Sequence, residues 1–136
     1  MTSGDRTIHD PFTGQHLTFT QTAADTRGTS LQAVVRLEPA GFVPRHLHLR
    51  QDERIEVLAG TIRLRAGGEP QVLNPGDTAT IARRRMHTIA NIDTNEARFV
   101  LEVQPARRIE LTIRSSFAVG RALRPLAKLR RRKTRP

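Results

Sequence analysis

Residues 46–60 read HLHLRQDERIEVLAG, a stretch that joins two closely spaced histidines and a glutamate to an alternating apolar run. In an extended strand successive side chains point to opposite faces, so His46 and His48 would place both imidazoles on one face. Glu53 begins a second run, in which the same rule puts Glu53, Ile55, Val57 and Ala59 on a common face. That face is expected to point into the protein interior.

Short alternating segments continue on both sides of this stretch, from about residue 16 to residue 113, with turn residues between them. Turns are expected at 59–61, 66–70 and 74–77, where Gly, Pro, Asn and Asp collect. Many short antiparallel strands must close or stack to bury one face, so the sequence predicts an all-β antiparallel barrel or jelly roll. The expected strands are 17–21, 31–38, 46–49, 53–59, 61–66, 71–73, 78–82, 87–92, 98–103 and 109–113.

The composition of the chain limits its chemistry. Its 136 residues fit one domain with one core. The absence of cysteine excludes disulfides and thiolate chemistry, and the absence of tyrosine excludes catalysis by a tyrosine. Residues 1–10 are polar and lack an apolar signal core, and no uncharged run is long enough to span a bilayer. A cytoplasmic location is therefore the expectation.

The net charge of +10 belongs to the end of the chain. Residues 1–104 carry 12 Arg and 12 Asp or Glu, whereas residues 105–136 carry 11 Arg or Lys against Glu110 alone. We therefore expect a barrel domain over 1–114 and a basic amphipathic or disordered tail, with a short helix, over 115–136. One interpretation of the tail is a frayed helix with a solvated basic end. The other is an anchor for anionic membrane or nucleic acid.

The order of the histidines resembles the two motifs of the cupin family. His46, His48, Glu53 and Gly60 follow the spacing of the first motif, with four residues before the glutamate and six after it. Gly76, His87 and Asn91 follow the second. The likeness departs from the family pattern at Ala40, Ala82 and Arg84, which replace a glycine, a proline and a glycine.

This resemblance to small single-domain bacterial cupins implies one metal ion inside a small β-barrel, with His46, His48, Glu53 and His87 as ligands. Three imidazoles and a carboxylate suit a divalent transition metal, and Fe, Mn, Ni, Cu and Zn all stay open. The alternative is a set of surface histidines beside a surface glutamate, or a site that holds only water or a ligand carboxylate. The resemblance also implies a homodimer.

The family spans many activities, so the resemblance supplies no reaction. We expect a metal-dependent oxygenase of the dioxygenase kind as the leading enzyme class, with Glu53 as a possible catalytic base. The alternatives are a non-catalytic module that binds or senses a small ligand, such as an organic anion, and a barrel whose basic tail carries the function. The pocket is expected to be small and apolar, with Arg84, Asn91 and Phe99 as substrate-binding residues.

The remaining histidines and the interior residues can also be assigned from the sequence. His9 and His16 are interpreted as structural, near the N-terminus or on a strand edge. By alternation from the ligands, the interior should contain Ile55, Val57, Ile62, Leu64, Ile89, Asn91, Phe99, Leu101 and Val103.

Overall fold

A computed structural model describes residues 6–106 and residue 113 of the chain. Residues 6–106 form strands joined by turns and loops, without an α-helix, as the sequence predicts. No helix in the described part has the length and apolar character needed to cross a bilayer. The strands are β1 (Thr7–Asp10), β2 (Gln15–Gln21), β3 (Leu31–Leu37), β4 (Phe42–His46), β5 (Asp52–Ala59), β6 (Ile62–Arg65), β7 (Gln71–Leu73), β8 (Thr78–Ile81), β9 (His87–Asn91) and β10 (Ala97–Gln104).

The strands form two antiparallel sheets, which gives the predicted jelly-roll barrel. The six-stranded sheet has the order β1-β2-β3-β10-β5-β8, and the four-stranded sheet has the order β4-β9-β6-β7. Alternate residues of both sheets are buried in one hydrophobic core, since each strand directs every second side chain inward. All nine residues expected in the interior are buried. The core consists mainly of Val, Ile, Leu and Ala, with Phe19 and Phe99 as its aromatic members.

Two expectations about the strands near the histidines are wrong. The strand expected to begin at His46 in fact ends there, and His48 lies in the loop that follows. Pro44 cannot donate a ladder hydrogen bond, and the pairing of β4 with β9 shifts between Val43 and His46, so no simple alternation marks this strand. Ala59 is exposed rather than buried, because the pairing of β5 with β10 shifts register beside it.

Strand β1 was not expected from the sequence, and it pairs with β2 at the edge of the six-stranded sheet. The predicted strand over 109–113 and the predicted tail over 115–136 lie outside the described residues, apart from Ile113. Ile113 is helical rather than in a strand, is partly buried and packs against the core.

Gly60 carries the chain from β5 in one sheet to β6 in the other. Its φ is +76°, a conformation that favours glycine. A Cβ on Gly60 would lie 2.8 Å from the Ala97 Cα, which is backbone of β10 and cannot turn aside. Gly76, in the turn between β7 and β8, has a similar φ of +92°, but a Cβ there would meet no described atom within 4 Å. A substitution at Gly60 would therefore cause both backbone strain and a steric clash, whereas one at Gly76 would cause only the strain.

We expect Gly60→Ala to lower the free energy of unfolding by about 2–4 kcal/mol, because strain and overpacking add. Gly76→Ala is the matched control and should cost only the strain, about 1–2 kcal/mol. Urea unfolding of the two variants measures the difference. Equal losses would show that the close approach of Gly60 to Ala97 has no energetic weight.

Candidate metal centre

The four residues expected to bind metal meet at one end of the barrel. His46 ends β4, His48 follows in the next loop, Glu53 is the second residue of β5, and His87 begins β9. Each offers one ligand atom, and these atoms all lie within 4.8 Å of one another. Glu53 and His87 are buried, whereas His46 and His48 are partly buried and form the side nearest solvent. The predicted convergence is therefore present.

Strand register explains why two pairs of these groups are close. His46 and His87 are direct partners across β4 and β9, and their ring centroids are 4.2 Å apart. Glu53 lies between Ile81 of β8 and Val103 of β10, its partners on either side. Those two apolar side chains are almost fully buried, so they shield the carboxylate from water.

Contacts between loops hold the remaining ligand in position. The backbone N–H of Arg84 donates to the His48 carbonyl oxygen at 2.6 Å. Asp52, beside Glu53, accepts hydrogen bonds from the backbone N–H of Arg83 at 2.9 Å and from its guanidinium. The β8–β9 loop is thereby joined both to the loop that carries His48 and to the start of β5.

Hydrogen bonds to carbonyl groups determine which imidazole nitrogen is available. The Nδ1–H of His46 donates to the Pro44 carbonyl oxygen at 2.7 Å, and the Nδ1–H of His87 donates to the Arg85 carbonyl oxygen at 2.9 Å. A carbonyl oxygen only accepts, so Nδ1 carries the proton in both rings. In a neutral ring Nε2 then bears a lone pair, as a metal ligand requires.

The Glu53 carboxylate is the electrostatic centre of the site. Its Oε2 lies 3.0 Å from Nε2 of His87 and 3.2 Å from Nε2 of His48. Burial alone would raise the pKa of Glu53, but the hydrogen bonds with His48 and His87 outweigh burial and lower the pKa to about 2. Glu53 is therefore an anion at neutral pH.

The pKa values of His46 and His87 shift in opposite directions. Burial lowers the pKa of His46, and its hydrogen bond with Pro44 only partly offsets this, so His46 favours the neutral form. Burial also acts to lower the pKa of His87, but the hydrogen bond and the charge of Glu53 outweigh it and raise that pKa. The site therefore attracts positive charge at the nitrogen that faces the carboxylate.

The donor set fits a divalent ion on these grounds. Lone pairs of neutral imidazoles and a carboxylate oxygen repel one another unless a proton or a metal ion lies between them. Ligand atoms about 2.1 Å from an ion lie about 3 to 3.4 Å apart, and the nitrogen–oxygen distances of 3.0 and 3.2 Å are of that size. His46, His48, Glu53 and His87 would be the ligands.

The residues expected to bind substrate lie in three different settings. Asn91 is at the far end of β9, where its amide donates to the carbonyls of Leu37, Glu38 and Asn95. Phe99 is fully buried in the core, paired with Val57 four residues along β5 from Glu53. Arg84 is exposed in the β8–β9 loop, next to the loop of His48.

Sequence reasoning missed the supporting contacts of this site. The Asp52–Arg83 pair had a weak signal, since both residues adjoin expected site residues, but the Pro44 and Arg85 carbonyls had none. It also missed a second group, because His9 and His16, interpreted as structural, lie together with Glu38 on the outer face of the six-stranded sheet. That group is separate from the metal centre.

Comparison with known proteins agrees with this architecture. The family model described as "Cupin domain" matches residues 33–103. KdgF from Halomonas sp. is 18% identical, with a TM-score of 0.65 over 78% of this chain and 94% of that chain. A predicted oxalate decarboxylase from Thermotoga maritima is also 18% identical, with a TM-score of 0.65 over 67% of this chain and 80% of that chain.

A recombinant oxalate oxidase in complex with glycolate is 25% identical, with a TM-score of 0.62. The match covers 70% of this chain and 53% of that chain, so this chain spans about half of that enzyme's length. A comparison with curated proteins finds no match.

We expect His46→Ala and His87→Ala each to reduce the metal retained at this site at least about tenfold, because each removes one of four ligands. Arg45→Ala is the matched control, since Arg45 precedes His46 in β4, is exposed and is not one of the four. Elemental analysis of proteins purified without chelator measures the retained metal. Equal metal content in the histidine variants and the parent would contradict the assignment.

Proposed function

Because this chain belongs to the cupin family, we propose that it holds one divalent transition-metal ion through His46, His48, Glu53 and His87 and binds a small anionic molecule beside it. One observation carries the proposal: two imidazole nitrogens approach the same oxygen of a buried, ionised carboxylate. Such an arrangement concentrates lone pairs where only a cation relieves their repulsion. Strand β4, the loop after it, β5 and β9 supply the four groups.

The leading reaction class is metal-dependent oxygenation of a small organic substrate. A bound divalent ion would supply Lewis-acid polarisation of a substrate oxygen or, if redox-active, electron exchange with O₂. The similar structures that include an oxalate oxidase bound to glycolate support this class without specifying a substrate. The apolar neighbours of Glu53, Ile81 and Val103, would exclude water from one side of the reacting groups.

Arg84 is the proposed contact for a negatively charged substrate group. Of the three consecutive arginines, Arg83 pairs with Asp52 at 3.2 Å, and Arg85 donates to the Ala66 carbonyl at 3.0 Å. The Arg84 side chain has no hydrogen bond or ion pair with the residues that the structure describes. Its backbone has a positive φ of 66°, and its N–H donates a hydrogen bond to the His48 carbonyl oxygen. A fixed backbone with an unengaged guanidinium, beside a ligand loop, suits capture of a carboxylate or phosphate.

Glu53 is the proposed proton acceptor as well as a ligand. The hydrogen bonds with His48 and His87 lower its pKa, and a bound divalent ion would also lower it, so Glu53 as a ligand would hold a substrate proton poorly. It becomes a stronger base only if the contacts with His48 and His87 are lost, because those contacts outweigh the effect of burial. Proton transfer would therefore require Glu53 to move away from the imidazoles.

A non-catalytic binding or sensing module is the second candidate. It is favoured by the lack of a further acid among the described residues, where no Asp or Glu besides Glu53 belongs to the group of ligand atoms. Asn91, expected to contact substrate, already uses its amide in bonds to backbone carbonyls. Fewer free polar groups near the site mean fewer ways to transfer protons.

Oxygen consumption distinguishes the two candidates. The full chain, stripped of metal and reloaded separately with Fe²⁺, Mn²⁺ or Cu²⁺, is supplied with oxalate or glycolate as probes, and dissolved O₂ is followed with an electrode. Oxygenation predicts uptake that depends on both the ion and the probe, and that is lost in His87→Ala. Binding of the probes without uptake for any ion would favour the binding module.

We expect Arg84→Ala to weaken binding of oxalate or glycolate to the metal-loaded protein about tenfold, because a charge-assisted contact is lost. Arg54→Ala is the matched control, since Arg54 is an exposed arginine of β5 whose guanidinium lies near Glu56. Titration calorimetry with metal-loaded protein measures both affinities. An unchanged affinity in Arg84→Ala would remove Arg84 from the anion site.

A further inference from the structure

All five histidines of the chain fall into two groups, three at the metal centre and two on the outer face of the six-stranded sheet. We propose that the second group, His9, His16 and Glu38, is a separate binding site for a borderline divalent transition-metal ion such as Zn²⁺, Ni²⁺ or Cu²⁺. One ligand atom from each of these three residues lies within 4.8 Å of the others. The inference does not depend on the proposed function.

Hairpin register brings the two imidazoles together. His9 of β1 and His16 of β2 are direct cross-strand partners, and both side chains are on the outer face because Ile8 and Leu17 take the inner one. Their rings are stacked, with centroids 3.9 Å apart and planes 11° from parallel. Nε2 of both rings lies on the side of the Glu38 carboxylate.

Glu38 completes the group from the loop after β3. Its Oε1 lies 3.7 Å from Nε2 of His16, and its Oε2 lies 4.0 Å from Nε2 of His9. The carboxylate thus faces both nitrogens but is beyond the usual length of a direct hydrogen bond to either. Ligands of a tetrahedral ion are about 3.4 Å apart, and the ion lies close to the plane of each imidazole that binds it. Binding would therefore require the two stacked rings to rotate apart and the carboxylate to shift by about half an ångström.

The backbone of Glu38 is held in advance of any ion. Its N–H donates to the Gly14 carbonyl at 3.0 Å, and its carbonyl accepts from Gly41 N–H at 2.7 Å and from the Asn91 amide at 3.1 Å. A Cβ on Gly14 would lie 3.1 Å from the Glu38 carboxylate, so the glycine leaves room for that side chain. The fold therefore fixes the point from which the Glu38 side chain extends toward the two imidazoles.

The electrostatic surroundings permit a cation. Arg36, the partner of His16 across β2 and β3, is the neighbouring positive charge on this face. Its guanidinium is engaged by Glu96 at 3.1 Å, which offsets its repulsion of an ion. The Glu38 side chain and the two imidazoles are all partly exposed, so water would fill the remaining coordination positions. Exposure predicts weaker binding here than at the buried centre.

The two sites lie at opposite ends of the barrel. Glu38 is bonded to Asn91 at the end of β9, whereas His87 of the metal centre begins that strand. An ion at the second site would join β1, the edge strand of its sheet, to the loop after β3. Its chemical consequence is a metal cross-link that stabilises this edge.

Histidine NMR during zinc addition tests the second site. The full ¹⁵N-labelled chain is stripped of metal, and Zn²⁺ is added stepwise while long-range ¹H–¹⁵N spectra follow the five imidazoles. We expect the first equivalent to shift the nitrogens of His46, His48 and His87, and the second to shift those of His9 and His16 together. His9 and His16 signals that stay unchanged, or that shift independently, would overturn the proposal.

Variants of His9 and Glu38 test whether these residues bind the second equivalent of Zn²⁺. His9→Ala and Glu38→Gln should each weaken the second equivalent at least about tenfold and leave the first unchanged. Thr18→Ala is the matched control, since Thr18 is on the same outer face and bonds across the hairpin to Thr7. An unchanged second equivalent in both test variants would also contradict the site. If the four-residue centre does not bind zinc and the second site does, the first equivalent would shift His9 and His16. That result differs from unchanged His9 and His16 signals, so the experiment tests each site separately.

Discussion

The candidate metal centre depends on one constraint, which is that the buried and ionised carboxylate of Glu53 needs positive charge beside it. Glu53 is buried between the apolar side chains of Ile81 and Val103, so little water reaches its charge. His48 and His87 direct Nε2 at the same oxygen of that carboxylate. A proton on His87 or a divalent ion would supply that charge, and the lowered pKa of Glu53 and the raised pKa of His87 both follow from their mutual contact.

The barrel supplies this arrangement by register rather than by sequence proximity. His46 and His87 are 41 positions apart in the numbering, yet they are direct partners in the four-stranded sheet. Glu53 comes from the facing sheet, and Gly60 lets the chain pass from one sheet to the other. Hydrogen bonds from the backbone of Arg83 and Arg84 then join the β8–β9 loop to Asp52 of β5 and to the loop that contains His48. The site is therefore as stable as the packing of the two sheets.

Alternation and turn residues were sufficient to predict the all-β fold, and motif spacing was sufficient to predict which four residues converge. The alternating pattern gave wrong predictions where strand pairing is irregular. Pro44 and a register shift interrupt the pattern of β4, and the register shift beside Arg98 leaves Ala59 exposed. The carbonyl partners of His46 and His87 could not be predicted, because a backbone oxygen has no signature in the sequence. The stacked pair of His9 and His16 was missed for a different reason. It depends on β1, whose four residues carry too short an alternation to be recognised.

The most direct measurement is an anomalous diffraction map of crystals grown from stripped protein reloaded with one equivalent of Zn²⁺, recorded at the zinc edge. The strongest peak is predicted about 2.0 to 2.2 Å from Nε2 of His46 and His87, a nitrogen of His48 and a carboxylate oxygen of Glu53. A strongest peak away from these four residues, or any of the three imidazoles turned away from it, would contradict the central claim.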